Sequence, residues 1–146
     1  MHTATKEFRF EAAHCLDGHK GKCKNLHGHN YVVYVTLSDR ISTGLNDMDM
    51  VMDFYDLNTL AKPLFDKFDH AFLYNTTCKD SFEKEIRDVC VAHDRKIVEL
   101  PIRFTAENMA EYFYNELIEM LNNENCFVDS VKVYETATSY AVYNGR

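Results

Sequence analysis

Two stretches decide the fold: ATKEFRFEAAH (Ala4–His14) and HGHNYVVYVTL (His27–Leu37). Each alternates. In the first, Ala4, Lys6, Phe8, Phe10, Ala12 and His14 fall on one face of an extended chain, and Thr5, Glu7, Arg9 and Glu11 on the other. In the second, His27, His29, Tyr31, Val33, Val35 and Leu37 share a side. With the Gly- and Lys-rich segment Cys15–Leu26 between them, the two read as an antiparallel hairpin with a long loop.

Further along, Asp53 opens a helical stripe of Leu57, Leu60, Ala61, Leu64, Phe65 and Phe68, with Asp53 as N-cap and Asp56 in the first turn. Pro63 lies inside it and predicts a kink or break. Thr105–Leu121 is the clearest helix: Thr105 caps it, Glu107 suits its positive end, and Met109, Phe113, Leu117, Met120 and Leu121 form the stripe. Lys79–His93 reads as a short amphipathic helix and Lys96–Leu100 as a short strand. Phe127–Thr136 and Ser139–Tyr143 are two closing strands. The order predicts an α+β fold, a four-stranded antiparallel sheet with two main helices on one face (strand-strand-helix-helix-strand-strand).

At 146 residues, with 46% apolar and 13% aromatic side chains, the chain suits one domain, residues 1–146, with a true core. Sixteen Lys and Arg against 23 Asp and Glu give −7, a balance opposed to nucleic-acid binding or a polybasic membrane surface. No apolar run approaches the roughly 20 residues of a membrane span. The start, MHTATKEFRF, lacks the apolar centre of a secretory signal, and five cysteines cannot all pair. Reduced thiols and a cytoplasmic location are therefore expected.

The histidines carry the chemistry. His27 and His29 point the same way on a strand, and His14 ends the apolar face of the strand before. If the strands pair, three imidazoles converge, the ligand set of a catalytic zinc with an open position. Gly28 between them would allow close backbone approach. Separately hydrogen-bonded histidines are the plain alternative. A second is a structural zinc held by Cys15, Cys23, His27 and His29, which would make the protein a binding module. Cys23 beside a cation could serve as a base, or be an ordinary thiol. Asp69 and His70 form a carboxylate–imidazole pair suited to proton transfer, or a helix-end charge pair. Glu135 continues the inward face of Val131 and Val133, where a carboxylate needs a partner: a salt bridge, or a planar ligand with paired N–H donors.

Together these residues resemble the 6-pyruvoyl-tetrahydropterin synthase/6-carboxy-tetrahydropterin synthase family of the tunnelling fold. The resemblance rests on FRFEAAH (Phe8–His14), CKNLHGHNY (Cys23–Tyr31), VMDF (Val51–Phe54), FDHAFLYN (Phe68–Asn75), FTAEN (Phe104–Asn108) and VYET (Val133–Thr136), in the family's order over nearly the whole chain. It implies zinc on His14, His27 and His29, Cys23 as general base, and Asp69 with His70 as a second acid/base. It also implies Glu135 as the anchor for the guanidine-like edge of a pterin, helped by Thr105 and Glu107. The implied substrate is 7,8-dihydroneopterin triphosphate, and the implied assembly a homohexamer of two trimers, with Asp69–His70 reaching the site from a neighbouring subunit. Cys23 stands close to the His-Gly-His unit, as in the 6-carboxy branch of queuosine biosynthesis; the 6-pyruvoyl branch, with a longer gap, is the alternative. Thr76–Ile102 is longer than in the compact bacterial form.

Overall fold

The computed structural model covers residues 1–146. Strands β1 (Thr3–His14) and β2 (His27–Asp39) form the expected hairpin, and β5 (Cys126–Thr136) and β6 (Ser139–Tyr143) follow on the far side of β2, all antiparallel. The sheet is nevertheless six-stranded and mixed, not four-stranded and antiparallel. Two short strands, β3 (Ala71–Asn75) and β4 (Ile97–Leu100), extend the free edge of β1 in parallel, giving the order β4-β3-β1-β2-β5-β6. The sequence AFLYN of β3 has no alternation because every one of its residues is buried. A strand covered on both faces loses the period that marks a half-buried one.

Helices α1 (Phe54–Asp66) and α3 (Ala106–Leu121) pack on one face, as their stripes predict. A third helix, α2 (Ser81–Ala92), joins β3 to β4 and covers the opposite face at that edge. The two faces of β3 show this division. Ala71 and Leu73 belong to the main core under α1 and α3, whereas Phe72 and Tyr74 pack with Cys15, Ile86 and Cys90 in a separate cluster. Asp53 caps α1 by accepting from the Tyr55 N–H at 2.7 Å, and Thr105 caps α3 through the Asn108 N–H at 3.3 Å. The expected break at Pro63 does not occur. The ring falls in the last turn of α1, where it deletes one N–H, and burial of Leu64 and Phe65 just beyond it outweighs that loss. Leu60 and Met120, at the margins of their stripes, remain 46% and 40% exposed. No helix is long and apolar enough to cross a membrane.

Aromatic rings fill the core beneath the hairpin. Phe10 stacks on Tyr31 at 4.9 Å between centroids, meets Phe68 at 5.6 Å and takes the edge of Phe113 at 5.8 Å; Phe8 stacks on Phe65 at 4.7 Å. Truncating Phe10, 1% exposed, removes four aromatic neighbours at once. Phe10→Ala is expected to cost about 3–5 kcal/mol in chemical denaturation. A loss below about 1 kcal/mol, as for a surface change, would contradict this packing.

Glu83, 1% exposed at the start of α2, docks that helix by accepting from the Asn75 N–H at 3.1 Å, while its Oε2 has no partner. Burial pushes its carboxyl above the ordinary value of 4.5, against the Asn75 bond and with nearby Asp17 and Asp80 acting in the same direction as burial. The folded chain therefore holds this proton more tightly than the unfolded one. The contribution to stability is full below the unfolded value and is lost as pH rises through the folded one. Glu83→Gln is thus expected to raise Tm at pH 7–8, with the gain shrinking towards pH 4. Parallel Tm curves across that range would contradict it.

Candidate active site

The hairpin register builds the site. His14 lies opposite His27 and Ala12 opposite His29, so all three imidazoles share the inner face at the open end of the sheet. Val32 pairs with Tyr134 in the adjoining ladder, and Glu135, one residue on, arrives at the same end. One nitrogen or carboxylate oxygen from each of His14, His27, His29 and Glu135 lies within 4.8 Å of the others.

Backbone carbonyls set two of the rings. His14 Nδ1, fully buried, donates to the Phe104 carbonyl at 2.8 Å, and His27 Nδ1 donates to that of Asn25 at 2.7 Å. A carbonyl only accepts, so both protons sit on Nδ1 and both Nε2 atoms carry lone pairs. Those two Nε2 atoms face each other at 3.0 Å. His29 Nε2 is buried with Glu135 Oε1 at 2.7 Å, but off hydrogen-bond geometry, which leaves the nitrogen without a hydrogen-bond partner. Glu135 Oε1 is also 3.5 Å from His14 Nε2. Donors around a tetrahedral metal at about 2.0–2.1 Å stand roughly 3.3–3.4 Å from one another. The separations of 2.7, 3.0 and 3.5 Å run from tighter than that spacing to just beyond it. Converging lone pairs and an orphaned ring nitrogen fit a metal cation. Burial lowers the His29 pKa and so favours the neutral, ligating imidazole. Contact with His14, opposed by burial and aided by His29, holds Glu135 below the usual carboxylate range.

The remaining expected residues divide. Cys23, half-buried, sits in the short 3₁₀ turn Lys22–Lys24, its carbonyl accepting from the Leu16 N–H at 2.8 Å. Thr105 adjoins Phe104, the residue that orients His14. Glu107 is exposed in the first turn of α3 and its carboxylate makes no hydrogen bond or ion pair. The Cys15, Cys23, His27, His29 set is not assembled: Cys15 packs with Phe72 and Tyr74 on the opposite side of the sheet, its thiol pushed up by burial to about 12. A Cβ at Gly28 would come 3.2 Å from the Ala12 carbonyl oxygen, so the bare backbone suits the close strand pairing there, and Gly28 also lines the open groove beside His70.

Asp69 and His70 form a pair, with Asp69 Oδ2 3.0 Å from His70 Nδ1. Both hang on Glu11 of the outer face: Asp69 Oδ1 accepts from the Glu11 N–H at 3.0 Å, and the His70 N–H donates to the Glu11 carbonyl at 2.6 Å. His70 is 73% exposed and lines an open groove of about 590 Å³ together with Gly28, His29, Asn30, Arg95 and Lys96. Neither residue hydrogen-bonds or ion-pairs with the three histidines of its own chain. The carbonyls of Asn25 and Phe104 escape sequence reasoning, because a backbone acceptor has no residue type to betray it.

A six-stranded mixed sheet with α1 and α3 on one face and three imidazoles converging at one end defines an α+β protein whose His14, His27, His29 and Glu135 could hold a metal. The sequence profile of the 6-pyruvoyl tetrahydropterin synthase family matches residues 3–146, and the chain belongs to that family. It is 38% identical over 144 residues to the 6-carboxy-5,6,7,8-tetrahydropterin synthase of Haemophilus influenzae, covering 98% of this chain and 99% of the relative. The enzyme of that name from Aquifex aeolicus is 34% identical over 160 residues, with 95% of each chain covered. The fold is shared with a 6-pyruvoyl tetrahydropterin synthase of Plasmodium vivax, at a TM-score of 0.70, 23% identity and 98% of each chain covered. An uncharacterized protein of Wolinella succinogenes gives a TM-score of 0.81 at 20% identity, covering 99% of this chain and 98% of that one.

The three-imidazole geometry predicts uptake of one equivalent of a divalent transition metal per chain. His14→Ala, His27→Ala and His29→Ala should each weaken it about 100-fold or more, and Cys23→Ala should leave it unchanged. Competition against a chromophoric chelator measures this. Affinity indifferent to every histidine, or lost with Cys23, would overturn the assignment.

Proposed function

We propose that this chain is a zinc-dependent lyase. It converts 7,8-dihydroneopterin triphosphate to 6-carboxy-5,6,7,8-tetrahydropterin, releasing triphosphate and acetaldehyde, within queuosine biosynthesis. The observation that carries the reading is the convergence of His14 and His27 lone pairs with the orphaned His29 nitrogen beside Glu135, in a chain whose full-length relatives are named for this activity. A donor set of imidazoles without thiolate suits zinc in a catalytic rather than a structural role. Bound there, zinc supplies Lewis acidity that makes a neighbouring C–H easier to ionise.

The protein's own residues do the rest. Glu135, kept ionised, accepts paired N–H donors from the pterin edge and orients the ring. Thr105 and Glu107, at the start of α3, help to hold the ring. Cys23, on the turn between the two halves of the hairpin, takes the proton as its thiolate. The Asp69–His70 pair acts as the second acid/base, with Asp69 Oδ2 standing 3.0 Å from Nδ1 as its charge partner and Nε2 exchanging the proton. The pair makes no hydrogen bond or ion pair with the histidines of its own chain, and on this reading it serves the site of a neighbouring copy in a homohexamer of two trimers. The reaction belongs in the cytoplasm, where the free thiol of Cys23 stays reduced.

Anaerobic incubation of zinc-loaded protein with 7,8-dihydroneopterin triphosphate is expected to yield the 6-carboxy product by mass spectrometry together with acetaldehyde. Cys23→Ala should lower kcat by about 10²–10⁴ with zinc retained. A 6-pyruvoyl product without acetaldehyde would move the enzyme to the other branch of the family, and no consumption of substrate would overturn the reading.

A further inference from the structure

The segment between β3 and α3 contributes helix α2, strand β4 and, at the start of that strand, a lysine aimed at the Asp69–His70 turn. Lys96 Nζ donates to the carbonyls of Asp66 and Asp69, both at 2.7 Å. Asp66 ends α1, whose C-cap is Lys67, and Lys96 adds a second cation bonded directly to a carbonyl at its negative end. Asp69 is the first member of the pair, and its carbonyl belongs to the peptide that leads into His70. At that residue φ is +58°, a left-handed conformation that a side chain with a Cβ disfavours. Two contacts with Glu11 hold the turn from one side: the N–H to Asp69 Oδ1 and the carbonyl to the His70 N–H. Lys96 holds it from the other.

The position of Lys96 follows from the sheet. Phe72 pairs with Ile97 in the parallel ladder, and the Phe72 N–H donates to the Lys96 carbonyl at 3.0 Å. Residue 96 therefore stands one strand over from the turn that precedes β3. The strand is secured by Arg87 of α2, which meets Glu99 at 2.6 Å, and the helix by the Glu83 contact with Asn75. Lys96 itself is exposed and belongs to neither core cluster.

We propose that Lys96 is a positioning residue: it fixes the Asp69–His70 pair in its strained turn, so that the α2–β4 segment is part of the catalytic apparatus. The proposal rests on the reading of Asp69–His70 as the second acid/base, and acts through that pair without touching substrate.

The test compares Lys96→Met, Lys96→Arg, His70→Ala and the Lys96→Met/His70→Ala double variant, as zinc-loaded full chains. Lys96→Met should lower kcat about 10- to 100-fold with KM nearly unchanged, Lys96→Arg should restore most of it, and the double variant should be no slower than His70→Ala alone. Hydrogen–deuterium exchange should quicken at the His70 amide in Lys96→Met, with the core strands unchanged. Full turnover by Lys96→Met, an additive loss in the double variant, or unaltered exchange at His70 would each overturn the proposal. If the wild-type protein leaves the pterin unconsumed, the functional reading fails by itself. The exchange measurement still decides whether Lys96 holds the turn.

Discussion

The pairing of His14 with His27 across β1 and β2 governs the three-imidazole site, because strand side chains alternate with a period of two. A slip of one residue would send either His14 or the His27–His29 pair to the outer face and dismantle the site. The same register sets Phe10 against Tyr31 and Phe8 against Val33, so the aromatic core and the ligand set are two readings of one ladder. Burying Phe10 and Tyr31 is the larger energetic effect, at about 1.5–3 kcal/mol for a buried large apolar side chain. The core therefore holds the register, and the imidazoles follow from it.

This dependence explains how the site tolerates its own repulsion. Two Nε2 lone pairs at 3.0 Å and a buried ring nitrogen without a partner oppose folding. Carbonyls of Phe104 and Asn25 fix the rings so that neither can turn to relieve the conflict. The core absorbs the cost, and a cation placed among the donors returns it as affinity.

The hairpin, both main helices with their caps and the closing strands were legible, since each presents a half-buried face to solvent and so keeps its period. The three histidines were legible for the same reason: they continue the inward alternation of Phe8 to Ala12 and of Tyr31 to Leu37. Strand β3 was not, because α2 covers the face that would otherwise be polar. Lys96–Leu100 read as a strand, but its parallel pairing with an unrecognised neighbour was hidden, and with it the mixed sheet. Pro63 misled because propensity reports one lost hydrogen bond and not the burial of Leu64 and Phe65 behind it. Asp69 and His70 stood out as a pair, yet nothing in their spacing tells which face of a later-formed sheet they join. That depends on Glu11 and Lys96, 58 and 27 residues away from Asp69 in the chain.

The titratable side chains lie in two sets, each held by the bonding of the sheet. His14, His27, His29 and Glu135 gather at one end of it, and Asp69–His70 stand at the rim of an open groove that His29 also lines. His70 is bound to the backbone of β1 itself, so the pair keeps its place beside that strand without a hydrogen bond or ion pair to the histidines. β4 and β6 are both edge strands whose outer backbone groups lack partners within the chain, and edges of this kind are stabilised when another strand pairs with or covers them. Helix α2 packs against Phe72 and Tyr74 at the β3–β4 edge and lends Cys90 to the groove beside His70, which it leaves open.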